Sequence, residues 1–132
     1  MKYYCDTNFI IRYLLADDKE MFAKTKDIFA KTQNGEITLI IEQAIFTETI
    51  FVLSSFYKVP KANIIQVLGK LLAYKGITTT DKDTFLAALE IYNHHSIHIV
   101  DCLLIAKAKL NGLAVMSFDK KLHSLLASTV NN

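Results

Sequence analysis

In "YYCDTNFII", residues 3–11, two apolar runs flank a polar insert, Asp6-Thr7-Asn8. The first run, extended back to "KYYC", has the aromatic, apolar character of a short strand. The second, "NFIIRYLLA", carries apolar residues at helical spacing. Asp6 therefore falls where a strand hands over to a helix. A carboxylate in such a place is costly unless a partner meets its charge.

Outward from this stretch the alternation repeats. Asp17 to Glu20 form a D-x-x-E capping box for a helix that runs to Asn34-Gly35. "EITLII" reads as a second strand, and "EQAIFTETIFVLSSFY" as an amphipathic helix stopped before Pro60. "PKANIIQVLGKLLAYKG" opens on proline and ends in Lys-Gly, as helices do. "ITTT" reads as a third strand, and "DKDTFLAALEIYNHH" and "VDCLLIAKAKLNG" as helices. "LAVMS" reads as a fourth strand, "DKKLHSLL" as a last short helix, and "ASTVNN" as a fifth, edge strand. Strands that alternate with helices and are apolar on both faces predict a parallel sheet covered by helices on both sides. The expected architecture is α/β, with four to five parallel strands in a single domain spanning residues 1–132.

Composition bounds the function. A chain of 132 residues with 52% hydrophobic and 21% charged residues buries a real core and is not a disordered tail. One proline and four glycines suit long regular elements. Cys5 and Cys102 match no zinc or redox spacing and read as small, buried, apolar residues. The most apolar stretch, "ITLIIEQAIF", is far short of the ~20 residues that span a bilayer. No secretory signal is visible, so a soluble, cytoplasmic protein without a membrane partner is expected.

Four carboxylates stand in unusual places. In an open parallel sheet, ligands bind beyond the carboxyl ends of the strands. Asp6 follows the first expected strand and Asp119 the fourth, so both should share one edge of the sheet. Glu48 has Ala44, Ile45, Phe51 and Val52 as its helical neighbours, which puts it on an apolar, core-facing stripe. Asp101 opens its helix with Leu104, Ile105 and Ala108 on the same face. Each acid has a plainer explanation. Asp101 and Asp119 suit helix capping, and Asp6 suits a cap before "NFIIRY". Glu48 is open to pairing with a lysine. All four being plain at once is far less expected. Like charges ~4 Å apart repel by several kcal/mol at a moderate dielectric. A divalent cation reverses that sign, and oxygen-only ligands suit Mg²⁺ or Mn²⁺ rather than zinc.

The segments "YCDTNFIIRYL", "FTETIFVL", "IVDCLLIAKAK" and "MSFDKKL" resemble, in order, the four acidic motifs of PIN domains. In size and layout the nearest subgroup is the VapC-type toxins of bacterial toxin–antitoxin pairs. The resemblance covers nearly the whole chain and maps the family's acids onto Asp6, Glu48, Asp101 and Asp119. It maps the polar companion of the first acid onto Asn8, and the Ser/Thr before the last acid onto Ser117. Cys102 stands where small residues such as alanine are usual. The resemblance implies a three-layer α/β/α sandwich and Mg²⁺- or Mn²⁺-dependent cleavage of RNA. It also implies a small antitoxin partner and a homodimer. A stand-alone RNA-processing nuclease is the alternative within the family.

With the four acids set aside, nine acids face fifteen Lys and Arg, a balance of +6. Arg12, Lys107, Lys120 and Lys121 are the candidate RNA-phosphate contacts, with solvated side chains as the equal alternative. Glu42 is a further carboxylate, read as complementing a helix dipole. His94, His95 and His98 match no standard zinc spacing and read as structural or surface residues, His98 being the one expected nearest the site. A receiver-like signalling domain also joins acids and Mg²⁺ at a sheet edge, but leaves Glu48 without a role.

Overall fold

The computed structural model describes residues 1–129. The chain divides into two compact units, Met1–Lys82 and Asp83–Asn132.

In the first unit the opening stretch folds as read. Strand β1, Lys2–Tyr4, gives way at Asp6 to helix α1, Thr7–Leu15. Helix α2, Lys19–Asn34, leads to β2, Thr38–Ile40. Helix α3, Gln43–Phe51, continues into a π-helical turn, Val52–Phe56. Helix α4, Lys61–Leu72, starts directly after Pro60 and leads to β3, Ile77–Thr78. The strands are parallel in the order β1-β2-β3, with Lys2 opposite Thr38 and Leu39 opposite Ile77.

Local chemistry sets these boundaries. Asp18, one residue later than the expected box, caps α2 by accepting the Met21 N–H at 3.0 Å. Asp17 is taken instead by Arg12, whose Nη1 donates to both carboxylate oxygens at 3.0 and 2.9 Å. Gly35 closes α2 in the left-handed region at φ 83°, which favours glycine. Gly76 enters β3 with its N–H on the Thr32 carbonyl at 2.8 Å. A Cβ there would run into the Ile37 carbonyl oxygen, so only glycine allows the approach.

Phe29, fully buried, anchors the α1–α2 contact, with the Tyr13 ring stacked on it at 4.0 Å between centroids. Burying such a side chain is worth roughly 3 kcal/mol. The Tyr13 hydroxyl meets that of Tyr74 at 2.7 Å. Burial, then Tyr74, pushes the Tyr13 hydroxyl up to about 12. Ile10, Ile50, Leu53, Ile64, Leu71 and Leu72 complete this interior. Burial of the strands is not two-sided throughout: all three residues of β1 and Thr78 of β3 are exposed.

The second unit holds α5, Lys82–His94, from its second residue on, α6, Ile99–Asn111, and α7, Lys120–Thr129. Its core gathers Ile105, Leu122 and Leu125, with Ile91, Ile97, Val115 and Leu126 packed against them. Gly112 closes α6 at φ 64°.

The α/β class with a parallel sheet is as expected, but the sheet has three strands among the described residues, not four to five. Residues 113–117, expected as a strand, are irregular. Apolar, β-prone sequence forms a strand only where another strand offers backbone groups to pair with. Among the described residues "LAVMS" joins no ladder, and Met116 is 98% exposed. Of the expected fifth strand, residues 127–129 extend α7, and the remainder lies outside the described residues. No helix among the described residues is long and apolar enough to cross a membrane.

Candidate active site

Asp6 sits between β1 and α1 in extended conformation and caps the helix. Its Oδ1 accepts the Phe9 N–H at 2.9 Å. This answers part of the cost of the charge: the helix N-terminus offers both a donor and a favourable dipole. The second oxygen takes no hydrogen bond among the described residues.

Glu48 corrects the expectation of an inward carboxylate. It is exposed, and so are its neighbours Ala44 and Phe51. The buried stripe of α3 is Phe46, Thr49 and Ile50, continued by Leu53. Apolar residues stand on every side of α3, so periodicity alone did not say which side faced the core. Glu48 instead lines a pocket of about 340 Å³ with Asp6, Thr7, Asn8, Ile11, Ile45, Val52 and Tyr57. The structure thus brings together Asp6, Asn8 and Glu48. Among the described residues no cationic side chain pairs with either carboxylate; Arg12, Lys24, Lys31 and His94 form their ion pairs elsewhere.

Asp101, Ser117 and Asp119 belong to the second unit. Asp101 is half-buried in the first turn of α6. It is not the cap: His98 holds that position, without a side-chain cap bond. Asp119 does cap, its Oδ1 accepting the N–H groups of Lys121 and Leu122 at 2.9 and 3.1 Å. The Ser117 hydroxyl accepts the Asp119 N–H at 3.0 Å and shapes that turn. Glu42 stands at the N-terminus of α3, as read, without a side-chain cap bond.

The candidate cations are partly engaged. Arg12 is bound to Asp17 and donates from Nε to Asn8 Oδ1 at 3.3 Å. The Asp17 hydrogen bond, and to a lesser degree the Asp17 charge and Tyr57, hold its guanidinium above the ordinary range against the opposing effect of burial. Lys121 donates to the Ser96 carbonyl at 3.2 Å. Lys120 is exposed and Lys107 half-buried. His94 pairs with Glu90 at 2.8 Å on the surface.

Three contributors carried no legible signal. Tyr57 reaches the pocket because the π-helical turn adds a residue to the helical repeat, a shift invisible to a 3.6-residue pattern. Thr7 lines the pocket, and its buried hydroxyl has no hydrogen-bond partner. Asp17, five residues beyond Arg12, reaches it because Ala16 turns the chain in a left-handed conformation, φ 53°.

The donors here suit a hard divalent cation. The Asp6 and Glu48 carboxylates supply oxygen alone. The neighbouring Cys5 thiol adds no soft ligand: burial, reinforced by the Asp6 charge, pushes it up to about 12. Two carboxylates are the pocket's acidic complement, and no three His, Cys, Asp or Glu side chains are grouped as metal ligands among the described residues.

The sequence profile of the PIN domain matches residues 3–125, and the chain belongs to the PIN domain family. The VapC ribonuclease of Aquifex aeolicus (strain VF5) is 24% identical over 127 residues, which cover 96% of this chain and 93% of that protein.

Proposed function

We propose that this protein is a Mg²⁺- or Mn²⁺-dependent endoribonuclease that hydrolyses RNA phosphodiester bonds as the toxin of a toxin–antitoxin pair. The observation that carries the reading is the pocket that Asp6 and Glu48 both line, with no cationic side chain paired to either among the described residues. Family membership and the VapC ribonuclease relative support it.

A divalent cation held there would supply charge neutralisation at a phosphoryl oxygen and a more acidic bound water. The chain's part is placement. The Phe9 N–H fixes one Asp6 oxygen and leaves the other for the cation. Glu48 brings the second carboxylate from α3, and Asn8 brings an amide to the same pocket. In this proposal Asp101 and Asp119 are the remaining acidic ligands, on the resemblance of their segments to the family's acidic motifs. Ser117 holds the turn that presents Asp119. Lys107, Lys120 and Lys121 are the proposed phosphate contacts, in a cytoplasmic protein that forms a homodimer and binds a small antitoxin.

The test is cleavage of a structured RNA by the purified protein. EDTA should abolish cleavage, and added Mg²⁺ or Mn²⁺ should restore it. Cleavage that survives exhaustive chelation would sink the mechanism. Expression of the chain alone should arrest growth, with relief by Asp6→Asn. RNA cleavage without growth arrest would point to a stand-alone processing nuclease instead.

A further inference from the structure

Arg12 lies one helical turn beyond Asn8 on α1, with Nε 3.3 Å from Asn8 Oδ1. A guanidinium has donors and no acceptor, so it can hold only the oxygen of an amide. The Asn8 NH2 group must then point away from Arg12. Asn8 lines the pocket with Tyr57 and with Asp6 and Glu48, whose carboxylates are acceptors. Arg12 is itself anchored, since Nη1 bonds both Asp17 oxygens at 3.0 and 2.9 Å. The anchor has its own backbone device: Ala16, a non-glycine residue in the left-handed region, turns Asp17 back toward the helix it has just left.

We infer that Arg12 is a positioning residue that locks the Asn8 amide so that its NH2 group is the hydrogen-bond donor of the Asp6–Glu48 pocket, placed for an anionic oxygen of the phosphodiester. The use of that donor rests on the nuclease reading; the orientation of the amide does not. The geometry also separates this role from direct RNA binding. An arginine whose Nε and Nη1 are already bound to Asn8 and Asp17 has only Nη2 left for a phosphate, whereas an oriented amide among carboxylates supplies the donor that a non-bridging oxygen needs there.

Two measurements test it together. In the ¹⁵N-labelled protein the Asn8 side-chain NH2 signal is identified by its loss in Asn8→Asp. It should stand apart from the solvated amides, move to their position in Arg12→Ala, and move only part of the way in Arg12→Lys. In cleavage assays, Asn8→Ala and Arg12→Ala should each lower kcat by about tenfold, the loss of one oriented hydrogen bond, with KM little changed. Asn8→Asp, which keeps the acceptor facing Arg12 and loses the donor, should lose as much. The double variant should be no worse than either single one, because Arg12 acts through Asn8. An Asn8 amide signal unmoved in Arg12→Ala overturns the inference. So do multiplying losses in the double variant. A raised KM with a salt slope lowered by about 0.7 would also overturn it, making Arg12 a direct phosphate contact on single-stranded RNA. If the wild-type protein cleaves no RNA, the nuclease reading fails by itself, and the amide signal still decides the positioning role.

Discussion

Asp6 caps α1 in the structure and holds the cation in the proposed mechanism, and two substitutions separate these roles. As a cap it accepts the Phe9 N–H at 2.9 Å. Asp6→Ala removes that bond, at a cost of about 1 kcal/mol, and the favourable charge at the helix start, about 0.5 kcal/mol more. The expected loss of about 1.5 kcal/mol lowers the melting temperature by roughly 5 °C in a chain of this size. Asp6→Asn keeps an oxygen for the Phe9 N–H, since asparagine caps about as well as aspartate. It forfeits the charge–dipole contribution of about 0.5 kcal/mol but relieves repulsion with Glu48 in the shared pocket, so its melting temperature in EDTA should stay within about 2 °C of wild type. In cleavage with Mn²⁺ both variants should fall at least about a hundredfold, because neither has the carboxylate. Thermal melts in EDTA and single-turnover cleavage on the same preparations give both readings. If Asp6→Asn melted as low as Asp6→Ala, the cap would not account for the stability of this site. If it cleaved like wild type, Asp6 would not be part of the reaction.

Asp101 and Asp119 should part company in the same melts. Asp119→Ala should cost about 1–2 kcal/mol, since its carboxylate accepts two backbone N–H groups, whereas Asp101→Asn, which breaks no cap bond, should cost at most about 0.5 kcal/mol. Gly76→Ala should leave little folded protein by circular dichroism, because its Cβ would meet the Ile37 and Thr32 carbonyls in backbone that cannot yield locally. A native-like spectrum and melt would show that the β3 entry relaxes. Burial raises the Cys5 thiol from 9.0 to about 12, so the folded chain holds its proton more tightly than the unfolded one. That stability is fully present below pH 9 and lost as pH rises toward 12, at about 1 kcal/mol per pH unit. Denaturant melts at rising alkaline pH should show the slope in wild type and a flatter one in Cys5→Ala.

The sequence by itself determined the helices and the residues that could carry chemistry. The α2 stop at Gly35 and the α6 stop at Gly112 follow from local backbone preference, and the segments from Gln43 to Leu72 follow from apolar periodicity around Pro60. The strand-to-helix handover at Asp6 was legible for the same reason: a short polar insert between runs of different period is a local signal. The tertiary structure alone decided what required distant partners. "LAVMS" has strand character, yet a strand exists only beside another strand, and none pairs with it among the described residues. Glu48 lies on a helix with apolar residues on every side, so its turn toward the Asp6 pocket was set by which stripe met the rest of the first unit. Asp17 was claimed by Arg12 rather than by the α2 cap, and Tyr57 was carried to the pocket by a π-helical turn. Local propensity acts over about one helical turn, whereas pairing, burial and charge partnership act across space, so the chain encodes the first directly and the second only through the completed fold.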